Sequence, residues 1–244
     1  MLILALDTSS AAGSAAIARD GVVLAERAGD GTRTHGERLP RELMAILDEA
    51  GAGLDDVDRF AVSIGPGSFT GLRVGIATIQ GLAMARRALV TPVSSFEALA
   101  WHARGTADAI AAWIDAHRGE VFATLFDGDG QAMLEAPSSL PPERTIDAWA
   151  AALASRRRVR WVGDGAARYR EVIMARAGSG SRQDHDHDDA AIDVDPGPPL
   201  AGAIGIIAAA APDRAVRPHA LVPLYVRRSD AELARDRRET APKT

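Results

Sequence analysis

The chain has 244 residues, is 47% hydrophobic, contains no cysteine and carries a formal net charge of −5. That length suffices for one large or two small cores, and the missing thiols exclude disulfides, cysteine-ligated zinc and a cysteine nucleophile. Residues 178–199 hold six aspartates and one arginine, which accounts for the whole net charge and leaves a formally neutral remainder. A broad basic surface that grips nucleic acid by itself is therefore not expected. No apolar run reaches the roughly 18 residues of a membrane span, and the first residues read as a strand without a charged leader region, so a cytoplasmic protein is expected.

Leu2-Ile3-Leu4-Ala5-Leu6 is an apolar run of buried-strand length that ends in Asp7-Thr8-Ser9-Ser10. Strands at Ser14 to Ala18 and Val22 to Glu26 follow, joined as a hairpin through Arg19-Asp20-Gly21. A buried first strand that delivers Asp-Thr-Ser into a turn ahead of a hairpin is the opening of a ribonuclease H-like or actin-like domain. In ATPases of that architecture the aspartate helps to hold metal and the loop meets phosphates. An Asx turn that satisfies backbone amides is the plainer role for Asp7. Thr34 to Ala50 then places Leu39, Leu43, Ile46 and Leu47 at helical spacing, with Gly51 to stop the helix and His35 at its start as a cap or surface residue.

The strand from Phe60 to Ile64 leads into Gly65-Pro66-Gly67-Ser68-Phe69-Thr70-Gly71 and a helix to Arg87. Gly65 and Gly67 suit a tight turn with positive φ, and Ser68 or Thr70 suits the N-cap. This is not a phosphate-gripping P-loop, because Gly71 is followed by Leu72 and the single lysine of the chain is Lys243. A dinucleotide fingerprint fails too, since the next strand, Ala88 to Val93, runs into Ser94-Ser95 without a carboxylate for a ribose hydroxyl. Gly71 and Gly75 share a helix face that Thr78 and Leu82 extend. Such a stripe suits close approach by another helix, from this chain or a second one, or close seating on the chain's own sheet. A helix from Ser95 to about Ala103 completes the ribonuclease H-like order of three strands followed by alternating helices and strands.

The second half opens with strands Ala109 to Ala116 and Glu120 to Phe126 around His117-Arg118-Gly119. Asp115, His117 and Glu120 resemble an acid-base set, but no serine or second histidine stands nearby and turn roles are favoured. Asp127-Gly128-Asp129-Gly130 is a turn, too short for a calcium loop. A helix from Glu143 to Arg156, a strand from Val159 to Val162, a turn at Gly163-Asp164-Gly165 and a helix from Tyr169 to Ala177 follow. In nucleotide-binding members of the superfamily a glycine turn here faces adenosine. Gly163 and Gly165 are thus weak nucleotide candidates together with Asp7, Thr8 and Ser9, beside the simpler reading of a strand-to-helix turn. Residues 178–199 read as a mobile loop, and the stretch 180–189 within it, with Asp184-His185-Asp186-His187-Asp188-Asp189, as dispensable. Leu200 to Ala211 is a small, apolar helix expected on the second sheet, and the tail from Arg227 a partly ordered, solvated arm within reach of RNA or a partner. Two α/β lobes result, 1–104 and a reduced 105–226, with a tail of 227–244.

Leu4-Ala5-Leu6-Asp7-Thr8-Ser9, His35-Gly36-Glu37-Arg38-Leu39, the run from Gly65 to Gly75 and Ile114-Asp115-Ala116-His117-Arg118-Gly119-Glu120-Val121-Phe122 together closely resemble the TsaB (YeaZ) family. The likeness covers the first 125 residues and returns at Val222-Pro223-Leu224-Tyr225-Val226-Arg227. It implies an actin-like fold and a part in making N6-threonylcarbamoyladenosine at position 37 of tRNAs that read codons starting with A. It further implies a noncatalytic partner of the transferase TsaD and the small ATPase TsaE, homodimeric in isolation, meeting tRNA through the complex and not the membrane. No intrinsic cofactor follows; ATP or ADP and a divalent metal belong to the complex. The related transferase carries His-Met-Glu-Gly-His where this chain has Ser95-Phe96-Glu97-Ala98-Leu99, so both metal-holding imidazoles are replaced. No catalytic or metal residue is therefore assigned, and Leu39, Leu43, Gly71, Leu72, Gly75, Thr78 and Leu82 are the expected partner surface. The competing reading is an autonomous actin-like ATPase or small-molecule phosphotransferase, supported by Asp7 and the glycine turns and opposed by the replaced histidines. A metallopeptidase reading lacks the ligands.

Overall fold

A computed structural model describes residues 1–177 and 192–227. The first half contains β1 (Leu2–Asp7), β2 (Ser14–Arg19), β3 (Val22–Ala28), α1 (His35–Glu49), β4 (Arg59–Ser63), α2 (Phe69–Arg86), β5 (Leu89–Val93) and α3 (Ser95–Ala103). Its sheet has the order β3-β2-β1-β4-β5. β1, β2 and β3 pair antiparallel, and β4 and β5 add in parallel. The second half repeats the design with β6 (Ala109–Asp115), β7 (Val121–Asp127), β8 (Met133–Leu140), α4 (Pro142–Ala148), α5 (Ala150–Ala154), β9 (Val159–Val162), α6 (Asp164–Arg168), α7 (Arg170–Ala177) and β10 (Ile192–Asp195). Its order, β8-β7-β6-β9-β10, is the same plan with β9 and β10 in parallel. A last helix, α8, spans Ala201–Ala210.

β1 is apolar at every position because both of its faces are covered. Leu2, Leu4 and Leu6 point toward α1 and α2, among Leu39, Ile46, Leu47 and Ile79. Ile3 and Ala5 point the other way, among Phe96, Leu99 and Ile204 of α3 and α8. That second cluster also takes Ile110, Ala112 and Ile114 from β6, so α3 and α8 join the two sheets through one continuous core. On its far face the second sheet packs Trp113 and Trp161, ring centroids 4.9 Å apart, with Trp149.

Four expectations are corrected. α8 packs on the first sheet, not the second, because its small residues match small residues there: a Cβ on Gly205 would stand 3.0 Å from Ala18 Cβ and 3.5 Å from Ala5 Cβ. The chain after it stays with the first lobe, where Val216 bridges Val90 and the Pro218 carbonyl accepts from Gln80 at 2.9 Å. The second lobe therefore ends well before 226. Within the expected loop of 178–199, Ile192–Asp195 forms strand β10 beside β9. The helix expected over Glu143 to Arg156 is broken at Trp149, whose ring is drawn into the tryptophan cluster. The His/Asp run at 184–189 and the tail beyond Arg227 lie outside the described residues. Among the described residues, no helix is long and apolar enough to cross a membrane.

Candidate functional site

The glycine loop wraps the end of β1. Gly65 and Gly67 take φ of 102° and 155°, and the Gly65–Pro66 peptide bond is cis. The Ser68 amide donates to the Ser9 carbonyl at 2.7 Å, and the Ser68 hydroxyl accepts from Gly71 N–H at 3.2 Å, capping α2 as the sequence predicts. A Cβ at Gly67 would lie 2.4 Å from Ser9 O, at Gly71 2.2 Å from Thr8 O, and at Gly75 2.1 Å from Thr8 Oγ1. The stripe is therefore small because α2 lies directly on the Asp7-Thr8-Ser9 turn of its own chain. Leu39, Leu43, Gly71, Leu72 and Gly75 are all buried inside this lobe, while Thr78 and Leu82 are half-buried. As contacts for a partner, the five buried residues are corrected to supports beneath the surface.

A second set of side chains holds that turn from α1. Thr34 stands at the N-cap of α1, where its N–H and its hydroxyl donate to the Glu37 carboxylate at 3.0 and 2.7 Å, so His35 is not the cap. Its Nε2–H donates to Ser10 O at 3.0 Å, and Nδ1 accepts from the Arg38 guanidinium at 2.6 Å. Burial, and then the Arg38 charge beside it, holds His35 below its ordinary value of 6.5. Asp7, fully buried, is pushed above the usual carboxylate range by that burial, although it accepts from Ser9 N–H at 3.0 Å. It serves the Asx-turn role that the sequence allows. Because the folded His35 binds a proton less readily than the unfolded one, its contribution is complete above pH 6.5 and is lost progressively as pH falls below 6.5 through the lowered folded value. The stability difference between the wild type and His35→Gln, read from urea unfolding, should accordingly shrink from pH 7.5 to pH 5.5. A difference that stays constant across that interval would count against the neutral, doubly bonded imidazole.

The nucleotide candidates divide. Asp7, Ser9 and Gly163 come together with Asp164, Leu99, Ile114 and Pro196–Pro199 around a cavity of about 270 Å3 between the lobes. Thr8 is wholly buried under α2, and Gly165 lies against the backbone of Ile114, where a Cβ would approach to 2.7 Å. Among the described residues, the cavity lining offers two carboxylates and no arginine, lysine or histidine, an arrangement that repels phosphates unless a metal intervenes. Asp164 is pushed up by burial like Asp7. The start of α8, which faces the same region, is occupied by the chain itself. Ser14 Oγ accepts from Leu200 N–H at 3.1 Å and Ala201 N–H at 3.0 Å, and Glu26 accepts from Gly202 N–H at 2.7 Å. Proline-lined walls and these internal caps leave little of a nucleotide site.

Ser95, Glu97 and Leu99 spend their side chains on the fold. Ser95 is fully buried with its hydroxyl 2.8 Å from Ser63 Oγ. Leu99 belongs to the central apolar core. Glu97 accepts from Ser94 N–H at 2.8 Å and meets the Arg214 guanidinium at 2.9 and 3.0 Å in a two-point pair. Among the described residues, no group of three or more histidine, aspartate or glutamate side chains is placed to hold a metal ion. Asp115 faces His117 Nδ1 and Arg168, each at 3.3 Å, and the Asp115 amide donates to Asp164. The 115–120 cluster thus works as a charged turn.

A larger cavity, of about 410 Å3, opens on the other side of the turn. It lies between Pro66–Thr70, the Asp115–Arg118 turn and Leu224–Arg227. Sequence reading missed its outer wall: Tyr225 stands with its ring centroid 5.5 Å from that of Phe69, and Arg73 lies 3.9 Å over the Phe69 ring. The signal available was the motif Val222 to Arg227, but nothing local ties it to a helix some 150 positions earlier.

Two sheets of identical strand order, joined at a cleft between the turns of β1 and β6, define an actin-like α/β protein of two lobes. A family profile described as TsaD, tRNA N6-adenosine threonylcarbamoyltransferase, matches residues 21–145. The tRNA threonylcarbamoyladenosine biosynthesis protein TsaB of Escherichia coli K12 is 38% identical over 132 residues, 53% of this chain and 56% of that protein, so about half the length of this relative is spanned. A crystal structure of an uncharacterized protein with similarity to peptidase YeaZ from Pseudomonas aeruginosa is 32% identical with a TM-score of 0.73, covering 93% of this chain and 99% of that one. YeaZ from the same organism gives 0.69 at 32% identity over 92% and 99% of the two chains. The chain belongs to the TsaB (YeaZ) family.

Proposed function

We propose that this chain is a noncatalytic, cytoplasmic subunit of the machinery that makes threonylcarbamoyladenosine in tRNA, acting with a TsaD-like transferase and a TsaE-like ATPase. The observation that supports the reading is the commitment of Ser95, Glu97 and Leu99 to hydrogen bonds, an ion pair and the core, at the positions where the sequence resemblance places the transferase's metal-holding histidines. The partner surface is the outer side of α1 and α2. There Met44 and Met84 are 52% and 65% exposed, Ala77, Gly81 and Ala85 are exposed, and Thr78 and Leu82 lie beside them. The same surface serves a homodimer in isolation and the transferase in the complex.

Two assays test this. ATP turnover by the purified chain should be absent alone and appear only on mixing with the transferase and the ATPase; robust turnover by the chain alone would establish the autonomous ATPase instead. Sizing chromatography should show the transferase dissociating the homodimer, and one particle holding both contacts would overturn the shared surface.

A further inference from the structure

We infer that the chain after α8 ends in a releasable latch: residues 212–224 stay fastened to the first lobe, while Tyr225, Val226 and Arg227 lift off the second lobe and open the 410 Å3 cavity. The inference does not depend on the functional reading above. The fastening on the first lobe is made by backbone and core. Val216 and Val90 exchange both of their backbone hydrogen bonds, at 2.8 and 2.9 Å, the Pro218 carbonyl accepts from Gln80, and Leu221 is buried in the cluster beneath α1 and α2. The Leu224 N–H then donates to Ile64 O at 2.7 Å, just past the end of β4. Beyond that bond the contacts change in kind. Among the described residues, no backbone-to-backbone hydrogen bond holds positions 225–227, and the remaining contacts run through side chains at the surface.

Two of those side chains close the latch. Tyr225, 44% exposed, meets the Phe69 ring with centroids 5.5 Å apart, and its hydroxyl accepts from Arg73 Nε–H at 3.3 Å, longer than the usual range for such a bond. Arg227 crosses to the second lobe, where its guanidinium meets Glu120 at 2.9 Å and donates to Ala116 O at 3.2 Å. Glu120 also accepts from Ser139 Oγ at 2.7 Å, so the receiving carboxylate is fixed by its own lobe and the arginine is the partner that moves. The two side chains are 26% and 32% exposed, and ion pairs open to solvent in this way are weak and screened by salt. Firm anchorage up to Leu224 followed by solvated contacts is the pattern of a segment that opens locally while the rest stays folded. Leu224, Tyr225, Val226 and Arg227 all line the cavity, whose other sides are the glycine loop and the 115–118 turn. The lobes themselves stay joined when the latch lifts, because α3 and α8 bury one continuous core between them. The device is therefore a gate to the cavity and not a hinge between the lobes.

The absence of cysteine from the chain allows a direct test. Leu72 lines the cavity and is 1% exposed, so Leu72→Cys places a single thiol behind the latch. Ile79→Cys, on the same helix and fully buried, reports general unfolding. Phe122→Cys, on β7 and also lining the cavity, gives the same readout should Leu72→Cys not fold. Maleimide labelling of the cavity thiol should run about 10-fold faster when Arg227→Ala is added, with labelling of Ile79→Cys unchanged. Raising salt from about 50 mM to about 500 mM should speed labelling where Arg227 is present and leave the Arg227→Ala chain as it was. Exchanging the charges, Arg227→Glu with Glu120→Arg, should bring the rate back to within about 3-fold of the parent, the coupling expected of a direct pair. Equal labelling with and without Arg227 would overturn the inference. So would a rise that Ile79→Cys shares, which would make Arg227 a support of the whole fold.

Discussion

Gly75→Ala should lower the unfolding free energy by about 3 kcal/mol, the upper part of the range for forcing extra volume into a packed site. The added Cβ would fall 2.1 Å from Thr8 Oγ1, 2.9 Å from Thr8 Cγ2 and 3.0 Å from Thr8 Cβ. Thr8 has no exposed surface, and its turn is pinned by the Ser68 amide on Ser9 O, so the clash has no cheap exit. Gly75→Leu, with a larger side chain at the same point, should prevent folding. The Thr8 hydroxyl is buried without a hydrogen-bond partner, so Thr8→Ala removes both the closest atom and an unsatisfied group. Combined with Gly75→Ala it should recover at least half of the loss in urea unfolding, a coupling that only contact between the two side chains gives. Additive losses in the double variant would show that α2 moves away from the turn instead of pressing on it.

The two cavities on either side of the β1 turn differ in the chemistry of their linings. On one side of the β1 turn, Asp7, Asp164 and the prolines make an acidic, apolar cavity, and the amides at the start of α8 are already taken by Ser14 and Glu26. On the other side the lining carries Arg118, Arg227 and an aromatic pair. One glycine-packed turn separates them, so the same close approach that builds the lobe also sets the shape of both.

Much of this was legible in the residues. The all-apolar run Leu2 to Leu6 announces a strand covered on both faces, and the alternation of its neighbours into two clusters confirms why no polar residue interrupts it. The N-cap at Ser68 was equally plain, because it depends on local spacing. What stayed hidden depends on distant pairing. α8 carries alanine and glycine on nearly every face, so its own pattern names no partner; the alanines at positions 5, 16 and 18 decide it. Gly71 and Gly75 show that something approaches closely, but whether that is another molecule or Thr8 cannot be told from a stripe. Tyr225 joins Phe69 only because the chain returns across α2 after position 212.

Arg38→Ala should destabilise the protein by about 3 kcal/mol, the low end for removing one partner of a buried charged pair. Arg38 is 4% exposed and ties three elements together: one guanidinium nitrogen reaches Glu42 at 2.6 Å, the other reaches the carbonyls of Ala11 and Ala12 and the ring of His35. It runs across Gly29, where a Cβ would overlap the guanidinium at 1.6 Å. Truncation takes the guanidinium donor from the carbonyls of Ala11 and Ala12 and from the His35 ring, and the low end applies because Glu42, 29% exposed, and the exposed Ala11 can rehydrate. Arg38→Lys should recover less than half of this, since a single ammonium cannot span the carboxylate and both carbonyls. Amide hydrogen exchange at Ser9 and Gly13 should rise by the same factor as the loss in stability, because those amides close the turn that Arg38 braces. The slackening should pass through Ser9 O to the Ser68 amide and so to Phe69 at the start of α2. Wild-type melting and exchange in Arg38→Ala would show that the backbone alone holds the turn.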